Sequence, residues 1–201
     1  MVKDQVFPEI VVTNSHDGLA SFQIMAGLFR LVCLNGMVIC NEQFGGIHRV
    51  KHIGYTDEKV REAVSFMGQT VPLIADSVKA FNEIELTPDE QGIYAMASIQ
   101  MKYGETDRAF NVEALLKPRR TEDRPPTLWN TYNVIQEKLI KGNRFEVNKG
   151  KGIYEGQIFG TKKARGVTAI TEDIRINRAL WMLTERMADI KRSGASGCNF
   201  A

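Results

Sequence analysis

The sequence predicts an α+β fold: an N-terminal antiparallel β-sheet over about residues 8–54, then a helical part of about five helices over residues 56–191. Three observations predict it. Short apolar, β-branched runs bounded by turn residues fill the first quarter of the chain. Past Thr56 the apolar spacing changes to alternating steps of four and three. Helix-start chemistry then recurs down the chain. Strands first and helices afterwards is the α+β order.

"EIVVT" is a β-branched run that ends in turn residues, and "SFQIMAGLFRLVCL" and "NGMVIC" follow it. Asn35-Gly36 lies between apolar runs, which is the strongest short hairpin signal. Gly27 is expected to mark a bulge or a bend. A helix over 20–33 competes with the strand reading, because an apolar run of that length suits either. "GIHRVKHI" alternates and reads as another strand.

Thr56 caps the first helix, with Asp57 and Glu58 in its first turn. Val60, Val64, Met67, Val71, Ile74, Val78 and Phe81 form one apolar stripe, and Pro72 is expected to kink or split it. Thr87, Pro88 and Glu90 spell a capping box for a second helix running to about Tyr103 and stopping near Gly104. "NVEALL" is a short helix, followed by a charged, proline-bearing connection. A helix runs from Thr127 to about Lys141, with Leu128, Tyr132, Ile135 and Leu139 on its apolar face and an exposed polar back. Residues 143–168 read as a mobile, glycine- and lysine-rich loop. The last helix starts at Thr171, with Ile176, Leu180, Leu183, Met187 and Ile190 as its stripe. Residues 1–192 are expected to form a single domain and residues 193–201 a fraying tail.

Composition excludes little. A hydrophobic fraction of 43% and a charged fraction of 25% are ordinary for a globular protein, and a net charge of +2 selects no partner. No stretch approaches the roughly 20 apolar residues that span a bilayer, so the expectation is a cytoplasmic protein with no membrane partner. Cys33, Cys40 and Cys198 form no disulfide framework and no zinc-finger spacing. No phosphate-loop or dinucleotide motif is present, so no cofactor is expected.

"NSHDG" sets His16 beside Asp17. The chemical reading is a general base or a metal ligand; the turn reading is stronger, since Gly18 supplies positive φ and neighbours on a tight turn point apart. His48 and His52 share a face, but Arg49 and Lys51 between them disfavour a metal ion. His16, Asp17 and His48 are therefore weak catalytic candidates, and no metal site is assigned.

The basic residues cluster more than the net charge suggests. Arg119 and Arg120 lie in "KPRR". Lys149, Lys151, Lys162, Lys163 and Arg165 lie in the glycine-rich segment, interleaved with Tyr154 and Phe159. Cations that track phosphates and aromatics on which bases stack are what a single nucleic-acid strand requires. The alternative is a solvated, charged loop. Asn130, Asn133 and Asn177 are expected to meet as a polar cluster where two tryptophan-bearing helices pack.

Taken together, "NSHDG", "FRLVCLNGMV", "LLKPRRTED", "LWNTYNVIQEKLIKG" and "ARGVTAITEDIRINRALWML" resemble the phage/plasmid-like family called domain of unknown function 932, from about Phe7 to Met187. The resemblance implies a chain shorter at its N-terminus than most members, with an exposed edge strand that invites homo-oligomers. It implies a mobile genetic element, such as a prophage or plasmid. It carries over no catalytic residue. Two functions suit that context: non-enzymatic binding of nucleic acid, single-stranded DNA first, and inhibition of a host defence protein by direct binding. A metal-dependent nuclease is the third.

Overall fold

The computed structural model describes residues 5–13, 22–30, 35–39, 48–50, 56–105, 110–142, 146–148 and 161–194. Two compact units divide the chain, Met1–Lys79 and Ala80–Ala201.

The first unit holds an antiparallel sheet of four strands: β1 (Val6–Thr13), β2 (Phe22–Arg30), β3 (Asn35–Ile39) and β4 (His48–Val50). β2 is central. β1 pairs along it from Val6↔Arg30 to Thr13↔Gln23. β3 pairs with residues 26–30 and β4 with residues 22–24. Since Gln23 and Ile24 pair with both β1 and β4, those two strands must occupy opposite edges of β2. Central placement explains the burial: Ile24 and Leu28 are buried on one face of β2 and Met25 on the other. A strand buried on both faces reads as a continuous apolar run, and so the helix alternative over 20–33 is displaced.

Two local expectations change here. Arg30 pairs with Asn35 and Phe29 with Gly36, so Asn35-Gly36 begins β3 and the connection is residues 31–34. The hairpin exists, but strand pairing outweighs the local turn preference. Gly27 makes no bulge either: it sits in unbroken register between Glu9 and Val38.

Helix α1 (Asp57–Asn82) is not split; it runs continuously through Pro72. The proline leaves the Gly68 carbonyl without its helical donor, and both residues are exposed, so water can serve that carbonyl. Its stripe is buried at Ile74 and Phe81, while Val64 is half-exposed.

The second unit is helical. Helix α2 (Pro88–Tyr103) starts on the expected capping box: Glu90 N–H donates to Thr87 Oγ1, and Thr87 N–H donates to Glu90 Oε2 at 2.7 Å. Glu90 also receives Lys191 Nζ at 2.9 Å, tying the start of α2 to the end of α5 (Ile170–Arg192). Asn111 caps the short α3 (Val112–Leu116), and Thr127 caps α4 (Leu128–Lys141), which stops at Gly142 with φ +61°. Helices α2, α3 and α5 each pack on α4. Trp181 of α5 meets Tyr132 of α4 edge-on at 5.9 Å and Phe81 at 5.3 Å, and Trp129 stacks on Tyr132 at 5.6 Å. Such pairs contribute about 1 kcal/mol each beyond their buried area.

α4 differs from expectation on its polar side. Every residue from Leu128 to Leu139 is buried, including Asn130, Asn133, Gln136, Glu137 and Lys138. Buried polar groups need partners; neighbouring elements supply them to Gln136, Glu137 and Lys138, whereas Asn133 donates within its own helix and its Oδ1 has no partner among the described residues. The segment read as a loop also contains structure: β5 (Glu146–Asn148) pairs antiparallel with β6 (Thr161–Lys163). Among the described residues, no helix is long and apolar enough to cross a membrane.

Candidate nucleic-acid interface

The C-terminal half of α4 gathers a cluster of charged residues: Arg119, Arg120, Asp123, Glu137, Lys138 and Lys141. Glu137 is nearly inaccessible, yet it receives three guanidinium hydrogen bonds. Arg120 Nη1 donates to its Oε2 at 2.7 Å and Arg120 Nη2 to its Oε1 at 3.0 Å, a two-point grip; Arg119 Nη1 reaches Oε1 at 3.2 Å. Arg120 also donates to Asp123, whose carboxylate is buried. Burial pushes the Glu137 carboxyl up, but the Arg120 hydrogen bonds and charge, with Lys141 and Arg119, bring it below its ordinary value. A two-point arginine grip fixes orientation as well as charge.

Lys138, the next residue, does different work. Its ammonium donates to the carbonyls of Ala114 at 2.7 Å, Leu115 at 3.0 Å and Lys117. These are the orphan acceptors at the end of α3, so Lys138 is the C-terminal cap of another helix. Burial lowers its pKa to about 8, opposed by the neighbouring Glu137. Together Glu137 and Lys138 bind the stretch from Ala114 to Asp123 to one turn of α4.

One turn further, α4 ends at a tight crossing. Val167 N–H donates to Ile140 O at 2.7 Å. A Cβ on Gly142 would fall 2.0 Å from the Gly166 nitrogen, and one on Gly166 would fall 2.7 Å from Lys141 O. Only two glycines allow that approach. Lys102 donates to Leu139 O and to Arg165 O, at 3.1 Å for the latter, so it clasps both segments; burial lowers its pKa to about 8, opposed by Glu172. The basic segment thus leaves and rejoins the helical unit at one point. In between, Val147 stands opposite Lys162 and Glu146 opposite Lys163.

Both basic segments therefore dock on the same end of α4. Arg119 and Arg120 are held at residue 137, and the neck of the β5–β6 segment lies at residues 140–142, about 6 Å along the axis at 1.5 Å per residue. Arg119, Lys141, Lys163 and Arg165 are exposed. Lys149, Lys151, Tyr154 and Phe159 lie outside the described residues, as do His16, Asp17 and the three cysteines; Lys162 and His48 are placed by backbone register alone. Among the described residues no group of three metal-ligating side chains occurs.

The three asparagines have separate partners. Asn130 donates to Pro125 O at 3.0 Å and Asn133 to Trp129 O at 2.6 Å. Asn177 reaches α4 through Gln136, whose amide donates to it at 2.9 Å, and donates to Asp173. Gln136 is the bridging residue that the sequence reading left out. Its spacing, three residues past Asn133 on a helix, was the available signal.

These features define an α+β chain whose helical unit is built around one buried polar helix. The family described as Domain of unknown function (DUF932) matches residues 1–181, and the chain belongs to that family. Two relatives, the UPF0380 proteins YafZ and YfjQ of Escherichia coli (strain K12), are each 37% identical over 180 residues, covering 90% of this chain and 62% of their own length. The chain thus spans less than two thirds of those relatives. No solved structure matches.

Proposed function

We propose that this chain is a non-enzymatic nucleic-acid-binding protein that takes a single DNA strand along the end of α4. The observation that carries the reading is the shared docking of both basic segments there: Glu137 orients Arg119 and Arg120, while the Gly142–Gly166 neck roots the segment that bears Lys162, Lys163 and Arg165. Four cations, Arg119, Arg120, Lys138 and Lys141, surround the acids Glu137 and Asp123, so the cluster stays net positive after its internal pairing. Lys149, Lys151, Tyr154 and Phe159 would add phosphate contacts and stacking. Arg119 is the better phosphate donor of the arginine pair, because Arg120 already spends two nitrogens on Glu137 and is largely covered.

Fluorescence anisotropy with a labelled single-stranded oligonucleotide tests this at a series of salt concentrations. Affinity should fall linearly on logarithmic axes, and a Lys162→Ala/Lys163→Ala variant should bind more weakly with a shallower slope. Affinity indifferent to salt, or unchanged in that variant, refutes the reading.

A further inference from the structure

Strand β1 pairs on one side with β2 and, among the described residues, with no strand on the other. Its side chains are unusually apolar for a sheet edge: Phe7 is 45% exposed, Ile10 49% and Val12 53%. Ile10 and Val12 share a face with Ile24 and Leu28, which are buried. Edge strands ordinarily carry charge on such positions to prevent pairing.

Pro8 fixes which backbone groups point outward. It has no N–H, and it sits inside a ladder that runs unbroken from Val6 to Thr13. Its nitrogen must face away from β2, since a proline facing β2 would leave a ladder bond unmade. Backbone direction alternates along a strand, so Ile10 and Val12 also present their N–H and C=O outward.

We propose that this edge of β1 pairs with the same edge of a second copy, antiparallel about a two-fold axis through Val11. That register sets Ile10 opposite Val12 of the second copy. Ile10 and Val12 exchange backbone hydrogen bonds, and the exposed aliphatic side chains cover one another. Pro8 falls beyond the ladder, opposite the residue after Thr13. Shifting the register by two in one direction puts Pro8 opposite Val12 and loses a bond. Shifting it the other way leaves Ile10 uncovered. The interface is isologous, so it closes as a dimer.

Sedimentation of the full chain over a concentration series should show a monomer–dimer equilibrium. Ile10→Lys/Val12→Lys alters exposed side chains only, so it should keep the far-ultraviolet circular dichroism of the parent and sediment as a monomer. Val11→Cys tests the register. At a non-hydrogen-bonded antiparallel pair the Cα atoms lie about 4.5 Å apart, within disulfide reach. Mild oxidation should therefore give a covalent dimer with Val11→Cys beyond that of the parent chain, and none with Ile10→Cys. A parent chain that stays monomeric, a lysine variant that still dimerises, or cross-linking through position 10 instead of 11 overturns the proposal.

Discussion

Arg120 Nη1 stands 2.7 Å from Glu137 Oε2, joining the proline-bearing connection after α3 to the central helix. Seventeen residues separate the two in sequence. The pair ties "KPRR" to "LWNTYNVIQEKLIKG": one supplies the cations and the other the buried acid that receives them.

Glu137→Gln should therefore destabilise the helical unit. Removing one partner of a buried pair costs about 3–5 kcal/mol, and the partial exposure of Arg120 places the expected loss at the lower end. Arg120→Ala should cost a similar amount. Arg119→Ala, whose side chain is 44% exposed and makes a single bond, should cost less than about 1 kcal/mol. Urea unfolding of the three variants measures this. Arg119→Ala costing as much as Arg120→Ala would contradict the assigned division of labour.

The same two arginines separate structure from binding. If a DNA strand uses this surface, Arg119→Ala should leave stability nearly intact yet reduce the salt slope of binding by about one. A variant that is fully stable and binds with an unaltered slope would remove Arg119 from the interface.

Lys102, Lys138 and Tyr94 predict how stability responds to alkali. Burial lowers both lysines from 10.5 to about 8. Between about pH 8 and pH 10.5 the unfolded chain then binds more protons than the folded one, so stability rises with pH. Tyr94 acts oppositely. Burial raises it above its ordinary 10.0, despite the bond to Thr184, so above about pH 10 the folded chain holds the proton that the unfolded chain has lost, and stability falls. Thermal melts should show a rise above about pH 8 and a decline past about pH 10. Lys138→Met should flatten the rise; a rise of unchanged size would show that Lys138 is protonated normally.

What the sequence makes legible is what depends on near neighbours. The Thr87, Pro88 and Glu90 cap needs four residues, and it forms as the spacing predicts. The order of strands before helices follows from period and cap chemistry, but period left β2 open between strand and helix, because a strand buried on both faces shows no alternation. α4 was misread for the opposite reason. Asn130, Gln136, Glu137 and Lys138 look like a solvated face, and each is buried by a partner supplied from elsewhere: Pro125 O, Asn177, Arg120 and the end of α3. Polarity in a sequence marks a need for hydrogen bonds, not for water. β5 and β6 escaped notice because three residues each are too few to display alternation. The shared docking of the two basic segments rests on Gly142 and Gly166, twenty-four positions apart, and no local pattern reports such an approach.

That approach supplies a matched comparison. Gly104 and Gly142 both end helices, with φ +68° and +61°. An alanine at either position meets the same backbone penalty, on the order of 1–3 kcal/mol, because positive φ with extended ψ is essentially a glycine conformation. At Gly104 the added methyl meets nothing within 4 Å, whereas at Gly142 it collides with the backbone of Gly166 and Arg165. Backbone cannot rotate aside as a side chain does, so the neck must open. Gly142→Ala should therefore cost at least about 2 kcal/mol more than Gly104→Ala, a margin typical of overpacking. Opening the neck also breaks the Val167–Ile140 bond and the Lys102 clasp, so Gly142→Ala, but not Gly104→Ala, should speed amide exchange at Val167. Equal urea midpoints for the two alanine variants would mean that the two segments do not cross at Gly142.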